Sequence, residues 1–279
     1  MPELPEVETI KTAIEKSIGK AKIEDVIIRN RKLRVPVPCD TENTLRNTNI
    51  IGYRRRAKYI VIDLDCEISI VWHMGMSGKI NITDTLPDPL GKHDHIIIRT
   101  SNGYLIYNDA RRFGMFTYAE TKKLNEHSLF AKMGPEPFDE KLTPDYLFDK
   151  LQKKKISIKA ALLDQEIIVG IGNIYASEAL FGSGISPMRA SNKISKDECK
   201  TLIKEIQKTL KKAIAAGGST LRDYAKPDGS LGYFQNLHCV YNKTGQKCPH
   251  CTCDINKTGG IRKVVIAGRS SFYCPQKQE

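Results

Sequence analysis

The sequence predicts an α+β fold of several domains: a β-rich amino-terminal half led by one helix, a helical second half and a Cys-rich tail. Short β-branched runs recur between about residues 25 and 119, whereas apolar residues at helical spacing dominate from about residue 143 onward. Four of the eight cysteines lie between residues 248 and 274. A chain of 279 residues is long enough for about two hydrophobic cores, which fits this division.

The first element is an amphipathic helix that starts near Pro5. Its apolar residues are three or four positions apart and therefore share one face: Leu4, Val7, Ile10, Ile14 and Ile18. A proline in the first turn and acidic residues beside it both suit the amino terminus of a helix. We therefore expect one face of this helix to be buried.

A β-sandwich or barrel is expected after the leading helix. The β-branched runs that indicate its strands lie at residues 26–28, 59–62, 68–71 and 95–98. Residues 101–103, with the sequence Ser-Asn-Gly, separate the last of these runs from another at 104–107, which predicts a hairpin.

Pro and Gly at residues 134–137 predict a linker, after which the pattern becomes helical. Thr143 and Pro144 are typical of an N-cap followed by the first helical position. Further helices are expected over 158–163, over 174–181 before Gly182, and over a longer segment that ends at the glycines 217 and 218.

The tail, residues 240–279, is expected to form two hairpins whose core is too small to be stable unaided, so that a metal would help. No apolar run approaches the length of a membrane span, and the amino terminus does not resemble a secretory signal. The chain is therefore expected to be soluble and intracellular. In a reducing compartment, a cysteine cluster indicates metal binding before disulfides.

Basic residues outnumber acidic ones, with 44 Lys and Arg against 32 Asp and Glu, which gives a formal net charge of +12. Basic clusters recur along the chain, at residues 29–32, 54–58, 153–155 and 211–212. Any one cluster is usually a solvated face, but clusters spread over a folded chain could line a groove that tracks phosphates. The excess charge favours nucleic acid over an acidic small substrate.

The second residue of the chain has a possible chemical role. If Met1 is removed, Pro2 becomes a free secondary amine with the carboxylate of Glu3 beside it. An α-amine has a pKa of about 7.7–8, against about 10.4 for lysine, so part of it is unprotonated at neutral pH and can attack an electrophilic carbon. The structural interpretation, a proline that merely starts a helix, is equally open from these residues alone.

Seven motifs along the chain resemble those of one enzyme family. They are PELPEVE at 2–8, RRAKY at 55–59, HMGMSG at 73–78, KHDH at 92–95, DARRFG at 109–114, GIGNIYASE at 170–178 and GGST at 217–220. With these motifs in this order, the chain resembles, essentially end to end, the formamidopyrimidine-DNA glycosylase family of base-excision enzymes, also called Fpg or MutM, within the wider Fpg/Nei family.

The resemblance implies a bifunctional DNA glycosylase and AP lyase that excises oxidised purines such as 8-oxoguanine and formamidopyrimidines. Pro2 would attack C1′ of the damaged nucleotide, and Glu3 would move protons at the sugar ring oxygen and the leaving base. The resulting Schiff base would undergo β- and δ-elimination. Met1 should be absent from active protein. Lys58 and Arg269 are implied as further members of the active site.

The resemblance also implies the residues that contact DNA. Met76, Arg111 and Phe113 would enter the duplex where the damaged nucleotide leaves it, and Arg111 would recognise the opposite base, expected to be cytosine. Each of the three could have a purely structural role if taken alone. The remaining implied contacts, several of them to phosphates, are Lys58, His93, Arg112, Lys159, Asn173, Ser219, Thr220, Tyr224 and Arg269.

The implied domains are a catalytic β-sandwich over 2–133, a linker over 134–142, a helix-two-turn-helix domain over 143–239 and a zinc-finger-type hairpin over 240–279. Residues 219–233, within the third of these, would form a loop that closes over the extruded base. Their Gly, Ser, Asp and Pro content is typical of a mobile loop.

The family's four-cysteine zinc site is incomplete in this chain. Cys248, Cys251 and Cys274 match it, but Lys277 occupies the position of the fourth cysteine. Lysine is not among the usual zinc ligands, so a single zinc ion would need another donor. Cys253 and His250 are the nearby candidates.

Two other functions remain open from the sequence. A Nei-type glycosylase would remove oxidised pyrimidines, and a non-catalytic protein would bind lesions without excising them. Leu4 and the three intercalating residues favour the purine-specific branch. The resemblance further implies double-stranded DNA with oxidised purines as the partner, no membrane association, a monomer and a bacterial-type cytoplasmic location.

Overall fold

The computed structural model describes residues 2–219, 232–252 and 254–279. The chain forms two compact units. The first consists of the residues up to Ala131 together with Ile214–Gln235, and the second consists of Lys132–Ala213 together with Asn236–Glu279.

The first unit contains two antiparallel four-stranded sheets, with the strand orders β1-β6-β7-β5 and β2-β3-β4-β8. The strands are β1 (Ile23–Ile28), β2 (Ile50–Arg56), β3 (Tyr59–Leu64), β4 (Ile68–His73), β5 (Lys79–Thr83), β6 (Asp94–Thr100), β7 (Gly103–Asn108) and β8 (Met115–Glu120). Its helices are α1 (Leu4–Ile18), the short α2 (Thr41–Leu45) and a 3-10 helix (Thr121–Glu126).

The two sheets share one hydrophobic core with helix α1. All five apolar residues of the α1 face are buried, as their spacing predicts. Trp72 of β4 is fully buried and has edge-to-face contacts with Phe116 of its own sheet, at 4.9 Å, and with Tyr107 of the other sheet, at 5.4 Å. Trp72 therefore connects the two layers of the sandwich.

The strands expected from β-branched runs are confirmed in β1, β3, β4 and β6. The Ser-Asn-Gly sequence connects β6 to β7 as a hairpin. The runs did not predict β2, β5 and β8, because these strands lack an extended run of β-branched residues. The predicted β-sandwich with one leading helix is confirmed.

The second unit is mainly helical. Its helices are α3 (Pro144–Gln152), α4 (Ile158–Leu163), α5 (Asn173–Ser183) and α6 (Lys196–Ala215), the last of which continues into the first unit. Two shorter 3-10 helices are Ser191–Lys193 and Phe234–Leu237, and the second of these straddles the division between the units.

Local signals place most of these helix ends. Thr143 caps α3 as predicted, because its side chain accepts a hydrogen bond from the N–H of Tyr146. Helix α5 was expected to end before Gly182, and this was wrong: it continues to Ser183 and stops at Gly184, which adopts φ of 75°. A glycine in the left-handed region is the usual helix stop, and Gly184, not Gly182, has that conformation.

The predicted linker is held by hydrogen bonds within the second unit. The N–H of Gly134 donates to the Gln165 carbonyl, and the carbonyl of Pro135 accepts from the N–H of Val169. The carbonyl of Pro137 accepts from the Gln207 side chain. The segment is thus an ordered surface strap of this unit.

The tail contains one strand pair among the described residues, β9 (Arg262–Ile266) with β10 (Arg269–Tyr273), and not the two hairpins expected. In place of a second hairpin, α7 (Ile255–Thr258) forms a single helical turn. The Asp254 side chain accepts the N–H of Asn256 and so stabilises this turn. The tail belongs to the second compact unit, and the four-segment domain division stays a prediction.

Among the residues that the structure describes, no helix is both long and apolar enough to cross a bilayer.

Candidate functional site

Pro2 and Glu3 lie at the start of α1, and both are buried. Glu3 is the N-cap, and its N–H donates to the carboxylate of Glu6 at 2.8 Å. This contact, one half of a capping box, fixes the backbone next to Pro2. The pair predicted to act together is therefore held at the end of a rigid, well-packed helix.

Glu6 also connects this helix start to the beginning of the predicted capping loop. Its second carboxylate oxygen accepts the N–H of Ser219 at 2.8 Å, and both residues are almost completely buried. The motif analysis gave Glu6 no role. The spacing of Glu3 and Glu6, which is that of a capping box, was the available signal.

Lys58 lies in the tight turn between β2 and β3 and is 8% exposed. Ala57, beside it, adopts φ of 53°, a conformation that non-glycine residues seldom take. Arg55 holds this turn close to α1: its Nε donates to Glu8 at 2.8 Å, and its Nη1 donates to the Ala57 carbonyl at 3.0 Å. Lys58 is thus brought towards the helix that carries Pro2 and Glu3.

His73, at the end of β4, is kept neutral. Desolvation, together with the positive charges of Lys58 and Arg34, lowers its pKa from 6.5 to about 4. Its unprotonated Nδ1 can therefore accept the N–H of Gly75 at 2.9 Å. That hydrogen bond helps to shape the loop that follows.

His73 takes up a proton near pH 6.5 in the unfolded chain but only near pH 4 in the folded protein. The free energy of unfolding should therefore decrease as the pH is lowered from 6.5 to 4. Below pH 4 the contribution should level off. Urea unfolding at several pH values should show a weaker acid dependence for His73→Gln than for the wild type. His238, whose pKa burial lowers to about 4, should account for part of the remaining dependence. An identical pH dependence in the variant would contradict the role of His73.

Two neighbouring loops present exposed apolar and basic side chains. We call residues 74–78 the first wedge loop and residues 109–114 the second wedge loop. Met76 of the first is 38% exposed, and Phe113 of the second is 45% exposed. The guanidinium of Arg111 lies over the Phe113 ring at 4.9 Å, and Arg112 is also exposed. Exposed large apolar side chains on such loops are suited to insertion between bases.

His93 lies beside the second wedge loop. Its carbonyl accepts the N–H of Asp109 at 3.0 Å, and its ring is 6.2 Å from that of His95. The predicted site residues Pro2, Glu3, Lys58, Met76, His93 and Arg111–Phe113 thus all belong to the first compact unit.

In the second unit, two predicted residues meet at the carbonyl of Ser270, next to Arg269. Asn173, at the first position of α5, donates to this carbonyl at 2.9 Å and to the Tyr241 hydroxyl at 3.3 Å. The Lys159 ammonium approaches the same carbonyl at 3.3 Å and donates to Ser177 at 2.8 Å. The hairpin is thereby fixed to the start of α5.

Lys159 is fully buried. Its contacts with Ser177 and with the Ser270 carbonyl lie inside the second unit. The predicted phosphate contact of Lys159 stays a prediction, while these two hydrogen bonds link α4 to α5 and to the hairpin. The structure supports an anchoring role for Lys159.

Arg269 is exposed at the tip of the β9–β10 hairpin. The turn before it consists of Ala267 and Gly268, with φ of 49° and 71°. Positive φ at both central residues is typical of a type I′ turn, which suits the twist of a hairpin. The turn leaves Arg269 exposed at the end of the hairpin, and its phosphate contact stays a prediction.

Glu178 of α5, which no prediction singled out, positions the chain that leads to the hairpin. Its carboxylate accepts three backbone N–H groups, from Cys239, Val240 and Tyr241, at 2.7–3.0 Å. It is 6% exposed. Only its place in the 170–178 motif signalled a role.

Three cysteines form a cluster that could hold a metal ion. The sulfur atoms of Cys248, Cys251 and Cys274 all lie within 4.8 Å of one another, and those of Cys251 and Cys274 are 3.6 Å apart. Thiolates around a tetrahedral zinc ion, with Zn–S bonds of about 2.3 Å, would be about 3.8 Å apart. The three thiols therefore fit such an ion.

The cluster formed by the described residues contains three of the four ligands that a tetrahedral zinc ion needs. His250 is outside the cluster: its Nε2 lies 3.9 Å from the Cys239 sulfur and its ring stacks on Phe181. Lys277 places its ammonium 4.3 Å above the Phe181 ring, a cation–π contact. Cys253, the other candidate, lies outside the described residues, as do Thr220, Tyr224 and most of the loop 219–233.

Known proteins of one family match the whole chain. A formamidopyrimidine-DNA glycosylase of Rhodospirillum rubrum is 42% identical over 282 residues and covers 100% of both chains. One from Rickettsia africae is 44% identical over 275 residues and covers 98% of each chain.

Solved structures of a Lactococcus lactis Fpg share the fold. Its complex with DNA containing an abasic site has a TM-score of 0.90 at 34% identity and covers 99% of both chains. Its complex with DNA containing an oxidised pyrimidine has a TM-score of 0.89 at 34% identity and covers 100% of both.

Two family models match successive parts of the chain. The formamidopyrimidine-DNA glycosylase N-terminal domain matches residues 1–116, and the H2TH domain of the same enzyme matches residues 133–225. The resemblance expected from the seven motifs is confirmed. Identity of more than 40% along the full length settles the relationship, and the chain belongs to the formamidopyrimidine-DNA glycosylase family.

Proposed function

We propose that this protein is a bifunctional DNA glycosylase and AP lyase of base-excision repair that excises oxidised purines. The observation that carries the proposal is the buried Pro2–Glu3 pair, held at the start of α1 by Glu6. Family relatives named for this activity match the chain over its full length. The net charge of +12 supports DNA as the partner.

In the proposed reaction, the nitrogen of Pro2 forms a bond to C1′ while the bond from C1′ to the damaged base breaks. Glu3 gives a proton to the sugar ring oxygen as the bond from C1′ to that oxygen breaks, which opens the ring and leaves the iminium, and it also handles the proton of the leaving base. The iminium that remains makes the C2′ protons acidic, so that β- and then δ-elimination cleave the strand on both sides of the lost nucleoside. The α-amine must be unblocked and unprotonated to begin this sequence.

The wedge loops would fill the space that the extruded nucleotide leaves. Met76 and Phe113 supply apolar surface, and Arg111 supplies a planar fork of donors for the opposite base. The DNA backbone around the lesion would be contacted by Lys58, His93, Arg112, Asn173 and Arg269. The loop that closes over the base would include Ser219, Thr220 and Tyr224. We further propose that the protein acts as a monomer on cytoplasmic DNA.

A zinc ion bound by Cys248, Cys251 and Cys274 would stabilise the tail. Its role would be structural, because it would fix the hairpin that carries Arg269. The fourth coordination position would be taken by Cys253, by His250 after a ring movement, or by a solvent molecule. The variants Cys253→Ser and His250→Gln would show whether either side chain contributes to zinc affinity.

Restoring the family cysteine should tighten zinc binding. The variant Lys277→Cys completes a Cys-x-x-Cys pair with Cys274, and we expect its zinc dissociation constant to fall by at least about tenfold, or about 1.4 kcal/mol. Competition with a chromophoric chelator measures this directly. Lys263→Cys, which adds an exposed thiol to the same hairpin, is the matched control and should have no effect. Equal affinities for Lys277→Cys and wild type would contradict the assignment of this position.

The substrate class is tested by excision from defined duplexes. We expect faster release from 8-oxoguanine paired with cytosine than from thymine glycol paired with adenine. The Nei-type alternative predicts the reverse order. One observation favours testing it: the Lactococcus lactis relative has been solved in complex with DNA that contains an oxidised pyrimidine. Binding to both duplexes without release from either would support the non-catalytic alternative.

A further inference from the structure

Asp109 is a fully buried carboxylate at the junction of the two wedge loops. One of its oxygens accepts the hydroxyl of Ser77, in the first wedge loop, at 2.7 Å. The other accepts the N–H of Gly114, in the second wedge loop, at 2.8 Å, and the hydroxyl of Tyr107 at 3.1 Å. Each oxygen therefore serves a different loop.

The partners of this carboxylate in the described part of the chain are neutral donors. A buried carboxylate without a cation beside it is unfavourable unless several hydrogen bonds satisfy it. Tyr107, also fully buried, provides one of these bonds. Because its two oxygens accept from different loops, this side chain must present two acceptor atoms at fixed positions.

The backbones of the two loops are in direct contact beside Asp109. A Cβ on Gly75, which has φ of 62°, would lie 2.3 Å from the backbone of Phe113. A Cβ on Gly114 would lie 1.6 Å from the Tyr107 hydroxyl and 2.9 Å from the His73 carbonyl. The loops can therefore be this close only because glycine is present at these positions.

We propose that Asp109 is a positioning residue that fixes the two wedge loops relative to each other and thereby sets discrimination of the opposite base. The inference rests on the proposed function, in which Met76 of one loop and Arg111 of the other enter the duplex together. The donor fork of Arg111 can select cytosine over adenine only if its backbone is held in place, because hydrogen-bond recognition depends on geometry.

The test compares Asp109→Asn with the wild type on 8-oxoguanine paired with cytosine and with adenine. The substitution replaces one acceptor by a donor, so that one loop loses its hydrogen bond while the side chain keeps its size. We expect the ratio of kcat/KM for the two duplexes to fall by about tenfold, or about 1.4 kcal/mol. Asp84→Asn, which changes an exposed carboxylate just after β5, should leave the ratio unchanged.

A merely structural role for Asp109 would lower stability and reduce both rates equally, so an unchanged ratio would overturn the proposal. A second readout uses 2-aminopurine beside a tetrahydrofuran abasic analogue, whose fluorescence reports insertion of the wedge residues without any reaction. Asp109→Asn should slow this fluorescence change, and a wild-type signal would also overturn the proposal.

If Asp109→Asn does not fold, two milder variants test the positioning role of Asp109. Ser77→Ala frees the first wedge loop alone, whereas Tyr107→Phe removes a bond that lies outside both loops. Ser77→Ala should lower the cytosine-to-adenine ratio more than Tyr107→Phe, and equal ratios in the two variants would overturn the proposal. Failure of the wild type to excise 8-oxoguanine from either duplex would instead contradict the proposed function.

Discussion

The variant Pro2→Gly is expected to lose most of the covalent complex that borohydride traps with 8-oxoguanine DNA. Glycine retains an α-amine, but it is primary and lacks the ring that fixes the nitrogen at the buried start of α1. Displacement of a reacting atom by about 1 Å can reduce the rate by about 10²-fold, and we expect a loss of this order. Single-turnover trapping, followed by gel electrophoresis, measures it.

An acetylated or extended amino terminus should abolish trapping completely, because an acylated nitrogen cannot form an iminium. Pro5→Ala is the matched control, since it changes the first turn of α1 but leaves the Pro2 amine in place. Trapping by the blocked protein at the wild-type level would show that another residue is the nucleophile.

The variant Glu3→Gln should separate the two activities. Glutamine keeps the size of the side chain but cannot transfer a proton, and general acid–base catalysis typically contributes about 10²–10⁴-fold. We expect a loss of this size in base excision from 8-oxoguanine DNA. Cleavage of a preformed abasic site should be affected less, because the base has already departed and the Pro2 amine is retained.

Glu15→Gln serves as the control for this experiment, because Glu15 lies in α1 and pairs with Lys11 on the surface. It should excise and cleave as the wild type does. Equal losses of excision and abasic-site cleavage in Glu3→Gln would indicate that the substitution displaces Pro2, and the assignment of proton transfer to Glu3 would then fail. Circular dichroism would show whether α1 remains folded.

The strongest sequence predictions concerned elements whose signals are local. The apolar spacing from Leu4 to Ile18 predicted helix α1 and its buried face, because a helix buries one face at this period. Thr143 and Pro144 predicted the start of α3 for a similarly local reason. The strand β5 alternates apolar and polar residues over Lys79–Thr83 but lacks the consecutive β-branched residues from which the other strands were predicted.

The parts that sequence reasoning missed depend on contacts between distant residues. The burial of Lys159 could not be predicted, because it depends on Ser177 and on the carbonyl of Ser270. Likewise, the roles of Glu6 and Asp109 emerge only when Ser219, Ser77 and Gly114 are placed beside them. Motifs identified the segments that form the site, whereas the folded chain shows which atoms support them.

The most direct test of the account is the mass of the trapped complex. After borohydride reduction with 8-oxoguanine DNA and digestion, the account predicts that the DNA remnant is attached to a peptide that begins at Pro2 and lacks Met1. Attachment to a lysine such as Lys58, or full activity in protein that still carries Met1, would contradict it.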